Sequence, residues 1–180
     1  MGLWETSRIC RPALALVAAF IFGVHSASAS GLDVFVARHK CRVAEGLRMI
    51  AAATTDRDPF LILAWRASSP VQGYVQCLFN DESTQIYCEA QSGTLDPEPG
   101  RRPSAEGLAA LAGLGFDMDA SKGNFQRRIA VKQPGDFDEI AGFMLRALYG
   151  GFAGVPDRPI EWISPNASET EAARHCAAVS

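Results

Sequence analysis

Two six-residue stretches near the middle of the chain alternate strictly between inward and outward positions. From Tyr74 to Phe79 and from Gln85 to Ala90, every second residue is apolar. Side chains on a strand switch faces at each residue, so this pattern predicts a half-buried β-hairpin. If Cys77 faces Cys88 across a polar turn at 80–83, one face holds Val75, Cys77, Phe79, Ile86, Cys88 and Ala90. The other holds Tyr74, Gln76, Leu78, Gln85, Tyr87 and Glu89. The first face is apolar enough for a core. The second mixes two tyrosines and a leucine with polar groups.

The flanking patterns supply the rest of a domain. Over 31–53, Val34, Ala37, Cys41, Ala44, Leu47 and Ile50 recur at three- and four-residue spacing, which predicts a helix. The apolar run over 60–67 has strand length and reads as a central strand buried on both sides. The stretch 92–103 contains three prolines and two glycines and reads as a loop. Ser104 reads as the N-cap of a helix carrying Leu108, Leu111 and Leu114 on one face, with Gly115 as its stop. Strand character returns over 124–132. Asp136 reads as the N-cap of the clearest helix, with Glu139 in capping-box position. Phe137, Ile140, Ala141, Met144, Leu145, Leu148 and Tyr149 form its apolar stripe, and Gly150 and Gly151 end it. A short edge strand over 159–163 and a terminal helix over 168–178 complete the order. Adjacent strands joined by short turns pair antiparallel. The α-β-β-β-α-β-α order therefore predicts an α+β fold: an antiparallel twisted sheet with helices packed mainly on one face.

The first 29 residues do not fit this domain. Arg8 and Arg11 precede an apolar segment at 13–24, and Ala27-Ser28-Ala29 is a small-residue cleavage pattern, as in a secretory signal peptide. The apolar segment is shorter than the roughly 20 residues that span a bilayer. Domain organisation is then a signal peptide at 1–29, one domain at 30–165 and a C-terminal tail at 166–180. The exported chain keeps Cys41, Cys77, Cys88 and Cys176, an even number that favours disulfides in an oxidising compartment. Directly opposed hairpin positions suit a Cys77–Cys88 bond. That leaves Cys41 for Cys176, tying the tail to the first helix. The formal net charge of −3, with no basic run, argues against nucleic acid or anionic lipid as the partner. The basic pairs Arg101-Arg102 and Arg127-Arg128 read as solvated surface.

Candidate chemistry is sparse. Cys41 with His39 and Cys176 with His175 could form a zinc site or supply a thiol nucleophile and base, as in a secreted thiol enzyme or hydrolase. Export and cysteine parity favour oxidation over both. The D-x-D-x-x-x-G run from Asp117 hints at calcium but lacks the closing glutamate of an EF-hand, so a solvated turn is the simpler reading. Gly150, Gly151 and Gly154 follow a helix instead of opening one, which argues against a phosphate cradle. No cofactor or metal is called for, and catalytic residues are not identified.

The succession of motifs is more informative than any one of them. Tyr74-Val75-Gln76 opens the middle strand, Leu108-x-x-Leu111-x-x-Leu114-Gly115-Phe116 ends a helix, Asn124-Phe125 starts a strand, and Ile140-Ala141 to Leu148-Tyr149-Gly150 closes with an amphipathic helix. This order resembles the YbjN-like and type III secretion chaperone-like domains. The resemblance implies an α+β fold without catalytic machinery that binds peptides or proteins and often homodimerises. The chain differs in its signal peptide and in its hairpin cysteines. If helices cover the Val75–Cys77–Phe79 face, Tyr74, Gln76, Leu78 and Tyr87 lie on the opposite side of the sheet, where they form a candidate partner-binding surface. The expectation is a periplasmic or secreted peptide- or protein-binding module. A structural envelope protein that self-associates through the sheet edge is the alternative.

Overall fold

The computed structural model of the protein describes residues 30–53, 59–66, 73–79, 84–95, 102–132 and 135–179. The signal peptide expected at 1–29, most of the turns around the hairpin and Arg101 lie outside the described residues. A five-stranded antiparallel sheet has the order β4-β3-β2-β1-β5. Its strands are β1 (Phe60–Trp65), β2 (Tyr74–Phe79), β3 (Gln85–Ala90), β4 (Phe125–Ala130) and β5 (Ile160–Ile163). The helices are α1 (Gly31–Ala52), α2 (Ala105–Gly113), α3 (Asp136–Gly151) and α4 (Glu169–Val179). The predicted α+β class and element order match this architecture.

The hairpin sets the layering. Cys77 is registered opposite Cys88, Gln76 opposite Glu89 and Leu78 opposite Tyr87. Alternation then buries Val75, Cys77, Phe79, Ile86, Cys88 and Ala90 together with Leu61, Leu63 and Trp65 of β1. Helices α1 and α3 pack on this face and on each other. Their buried residues include Phe35, Leu47, Ile140, Met144 and Leu148. Burying a side chain of this size contributes about 1.5–3 kcal/mol each against the entropy of ordering the chain. Helix α2 packs against α3, and α4 against α1, forming an outer layer.

Four local readings change. Strand β1 is buried on its helix side only: Leu61, Leu63 and Trp65 are buried, whereas Phe60, Ile62 and Ala64 are half-buried. On α1 the buried residues are Phe35, Val36, His39 and Val43 before Ala44, Gly46, Leu47 and Ile50, whereas Val34, Ala37 and Cys41 face outward. Spacing alone could not tell two overlapping stripes apart, and the aromatic ring of Phe35 settles the rotation by contacting Trp65 and Tyr149. Asp136 does not cap α3. Gly135 holds that position without a side-chain cap, and the Asp136 carboxylate accepts from the Lys132 backbone N–H at 2.6 Å. Three acidic residues in the first turn still complement the helix dipole. Arg127 is not simply solvated: it projects on the helix side of β4, with its guanidinium 4.8 Å from the ring centroid of Phe143.

Candidate functional site

The side of the sheet away from α1 and α3 carries the predicted surface. Register places Arg128, Tyr87, Leu78 and Phe60 in one row across β4, β3, β2 and β1. A second row holds Gln126, Glu89, Gln76, Ile62 and Ile163. Tyr74, Gln76, Leu78 and Tyr87 therefore share one face and are all half-buried. They do not form a bare apolar patch. Glu89 ties three polar neighbours together: the Gln76 amide donates to it at 2.9 Å, the Tyr87 hydroxyl at 3.0 Å and the Asn124 amide at 3.3 Å. Asn124 also donates to the Tyr74 hydroxyl at 2.7 Å, and its own carbonyl accepts from the Ser92 backbone at 3.4 Å.

Burial, more than the network, holds both tyrosines protonated, and the bond from Asn124 acts against it at Tyr74. Burial raises the Tyr74 pKa. Burial and then the hydrogen bond to the Glu89 carboxylate push Tyr87 to about 12. The face is thus a rigid polar strip from Tyr74 to Tyr87, bordered by apolar positions at Leu78, Phe60 and Ile62. It offers neutral phenols, one anchored carboxylate and apolar contact area. Sequence patterns do not single out Glu89 and Asn124 as site residues. The register implied by Cys77 opposite Cys88 is enough to set Glu89 beside Gln76. For Asn124, no local pattern points to a partner so distant in the chain.

The second candidate cluster lies behind α1. Cys41 and Cys176 are joined, with S–S 2.04 Å and Cα atoms 6.0 Å apart, and Cys77 is joined to Cys88. With those bonds intact none of the four sulfurs is a thiolate for catalysis or zinc. His39 is buried beside Phe35, with Nδ1 2.6 Å from the Arg42 guanidinium. Burial, then Arg42 and Arg38, lower its pKa to about 4. His175 lies 3.7 Å from Glu45 across the α1–α4 interface. The Asp117–Asp119 turn is occupied by Lys122, at 3.0 and 3.4 Å from the two carboxylates. That ammonium, for Asp117, and the Ser121 hydroxyl, for Asp119, hold the carboxyls below their usual range.

Two further concavities border β4. One, of about 500 Å³, is apolar and lined by Leu108, Ala109, Ala112, Met118, Ala120 and Phe125. The other, of about 360 Å³, runs between β4 and α3 past Ile129, Lys132, Glu139 and Phe143. Neither collects a set of groups suited to bond-making chemistry.

No curated protein and no solved structure matches the chain. Residues 41–157 match the family TY-Chap3, described as T3SS (YopN, CesT) and YbjN peptide-binding chaperone 3. The match runs from within α1 past the end of α3 and includes β1 to β4 and α2 whole. By this match the chain belongs to that family of peptide-binding chaperones.

Proposed function

We propose that the protein is an exported, non-catalytic module that binds an extended peptide or an unfolded protein segment on the open face of its sheet, through Tyr74, Gln76, Leu78 and Tyr87. The observation that carries this reading is the family match over 41–157 on a chain whose sheet leaves one face without a helix among the described residues. Tyrosine and leucine beside an anchored carboxylate suit a peptide, because they pair apolar area with polar tips at low entropic cost. Export is supported by the leader-like 1–29 segment and by two cystine bonds, which persist in oxidising compartments. No helix among the described residues is long and apolar enough to cross a membrane. A non-catalytic role is supported by four cysteines held in disulfides. Leu78→Ser and Tyr87→Ser should each weaken capture of an immobilised random-peptide library at least tenfold while circular dichroism stays unchanged. Equal capture by the variants and the parent protein would rule out this face.

A further inference from the structure

The family match stops at residue 157, yet the fold does not. A strand and a helix continue along one border of the matched domain. Strand β5 pairs antiparallel with β1, from Ile62 opposite Ile163 to Trp65 opposite Ile160. Its alternation sends Trp162 to the core side, where the ring packs against Gly46 of α1. Any Cβ on Gly46 would overlap that ring. A glycine inside a helix costs about 0.5–1 kcal/mol relative to alanine; here it forms a notch that admits the indole. The indole N–H donates to the Ala167 carbonyl at 3.2 Å, folding the segment back toward α4. Helix α4 then lies on α1, burying Ala172 and Cys176. Arg42 meets Glu169 at 3.2 Å, and Cys41 bonds Cys176.

Strand addition to a sheet edge, with side chains held in pockets beside it, is one recurring way in which sheets bind extended peptides. We infer that the β1 edge with the Gly46 notch is a second peptide-accepting site of this chain, and that residues 159–179 occupy it in cis as an internal ligand locked by Cys41–Cys176. The ligand class is an extended segment presenting a large aromatic residue at the Trp162 position, followed by a short helix. With the bond intact the segment cannot leave. Without it, the segment remains at an effective concentration on the order of millimolar and can be displaced by an equivalent peptide in trans. The inference rests on the reading of the chain as a peptide binder, but not on the open face.

The test uses the full exported chain and its Cys176→Ser variant, which opens one bond only. The probe is a fluorescently labelled synthetic peptide of residues 159–175. Hydrogen exchange should rise selectively in β5, α4 and the β1 amides that face β5, with β2 to β4 and α3 still protected. The peptide should bind the variant at least tenfold more tightly than the disulfide-bonded chain, and Gly46→Ala in the variant should abolish binding by filling the notch. Exchange that rises in all elements together, or in none, would make the segment an integral part of the domain and overturn the inference. Selective exchange without binding of the peptide would overturn it too. Leu78→Ser should leave probe binding unchanged, so failure at this edge and failure of the open-face reading are separate results.

Discussion

Glu89 shows how much chemistry one carboxylate can organise on a sheet surface. It accepts from Gln76, Tyr87 and Asn124, so its loss leaves the Gln76 amide and the Tyr87 hydroxyl without this acceptor, while Asn124 keeps the Tyr74 hydroxyl. Replacing it with alanine should cost about 1–3 kcal/mol in urea denaturation. Glu89→Gln removes the anion that, after burial, helps retain the Tyr87 proton. The Tyr87 pKa should then fall from about 12 but stay above its ordinary value, because burial remains, in an ultraviolet difference titration; an unmoved transition would contradict the network. His39 makes a pH prediction. Its folded pKa of about 4 lies below the unfolded 6.5, so the unfolded chain binds a proton first as pH falls. Stability contributed by neutral His39 is complete above pH 6.5 and is lost as pH drops from 6.5 to 4. His39→Gln should flatten the fall of the urea midpoint across that window, since carboxylates titrate alike in both proteins. Parallel curves would show that His39 does not set the slope. The hairpin register implies Gln76 beside Glu89, and helical spacing sets Phe35, Arg38 and Arg42 around His39, but Asn124 comes from a segment far away in the chain.

At the scale of elements, the alternation in β2 and β3 is the most legible feature, because a period of two admits only two face assignments and the cysteines choose between them. Helix α1 is less legible. Its apolar residues fit two stripes, and contact with Trp65 and Tyr149 selects the one through Phe35 and His39. The start of α3 departs from its capping pattern because Asp136 turns back to the Lys132 backbone. Gly46 carries no visible reason in the sequence, since Trp162 lies far along the chain. Alanine there would stabilise an isolated helix, yet in this protein Gly46→Ala should destabilise by about 1–3 kcal/mol through overlap with the indole. A double-mutant cycle with Trp162→Ala measures the coupling. Additive effects would show that the ring and the glycine do not share one space.

Among the described residues, helices cover one side of the antiparallel sheet, and the C-terminal segment returns to the first helix. Two cystines hold this shape on different length scales. Cys41–Cys176 closes a separation of 135 residues and Cys77–Cys88 one of 11. In the chain-entropy account these are worth about 5 and about 3 kcal/mol. Replacing Cys41 and Cys176 by alanine should therefore lower the urea midpoint more than replacing Cys77 and Cys88. The class and order of elements are readable because each strand and helix carries its own period. The outer layer is readable in part: Ser104 caps α2 and Cys41–Cys176 ties the tail to the first helix as the sequence suggests, but which residues α2 and α4 bury only their partners show. The central claim is that this fold holds peptides on its open sheet face. Binding of a short random-peptide library to the disulfide-bonded chain of residues 30–180, measured by fluorescence anisotropy, tests it most directly. Saturable binding that Leu78→Ser and Tyr87→Ser weaken at least tenfold, with the native circular dichroism spectrum retained, is the predicted result. No saturable binding, or binding indifferent to both substitutions, would contradict it.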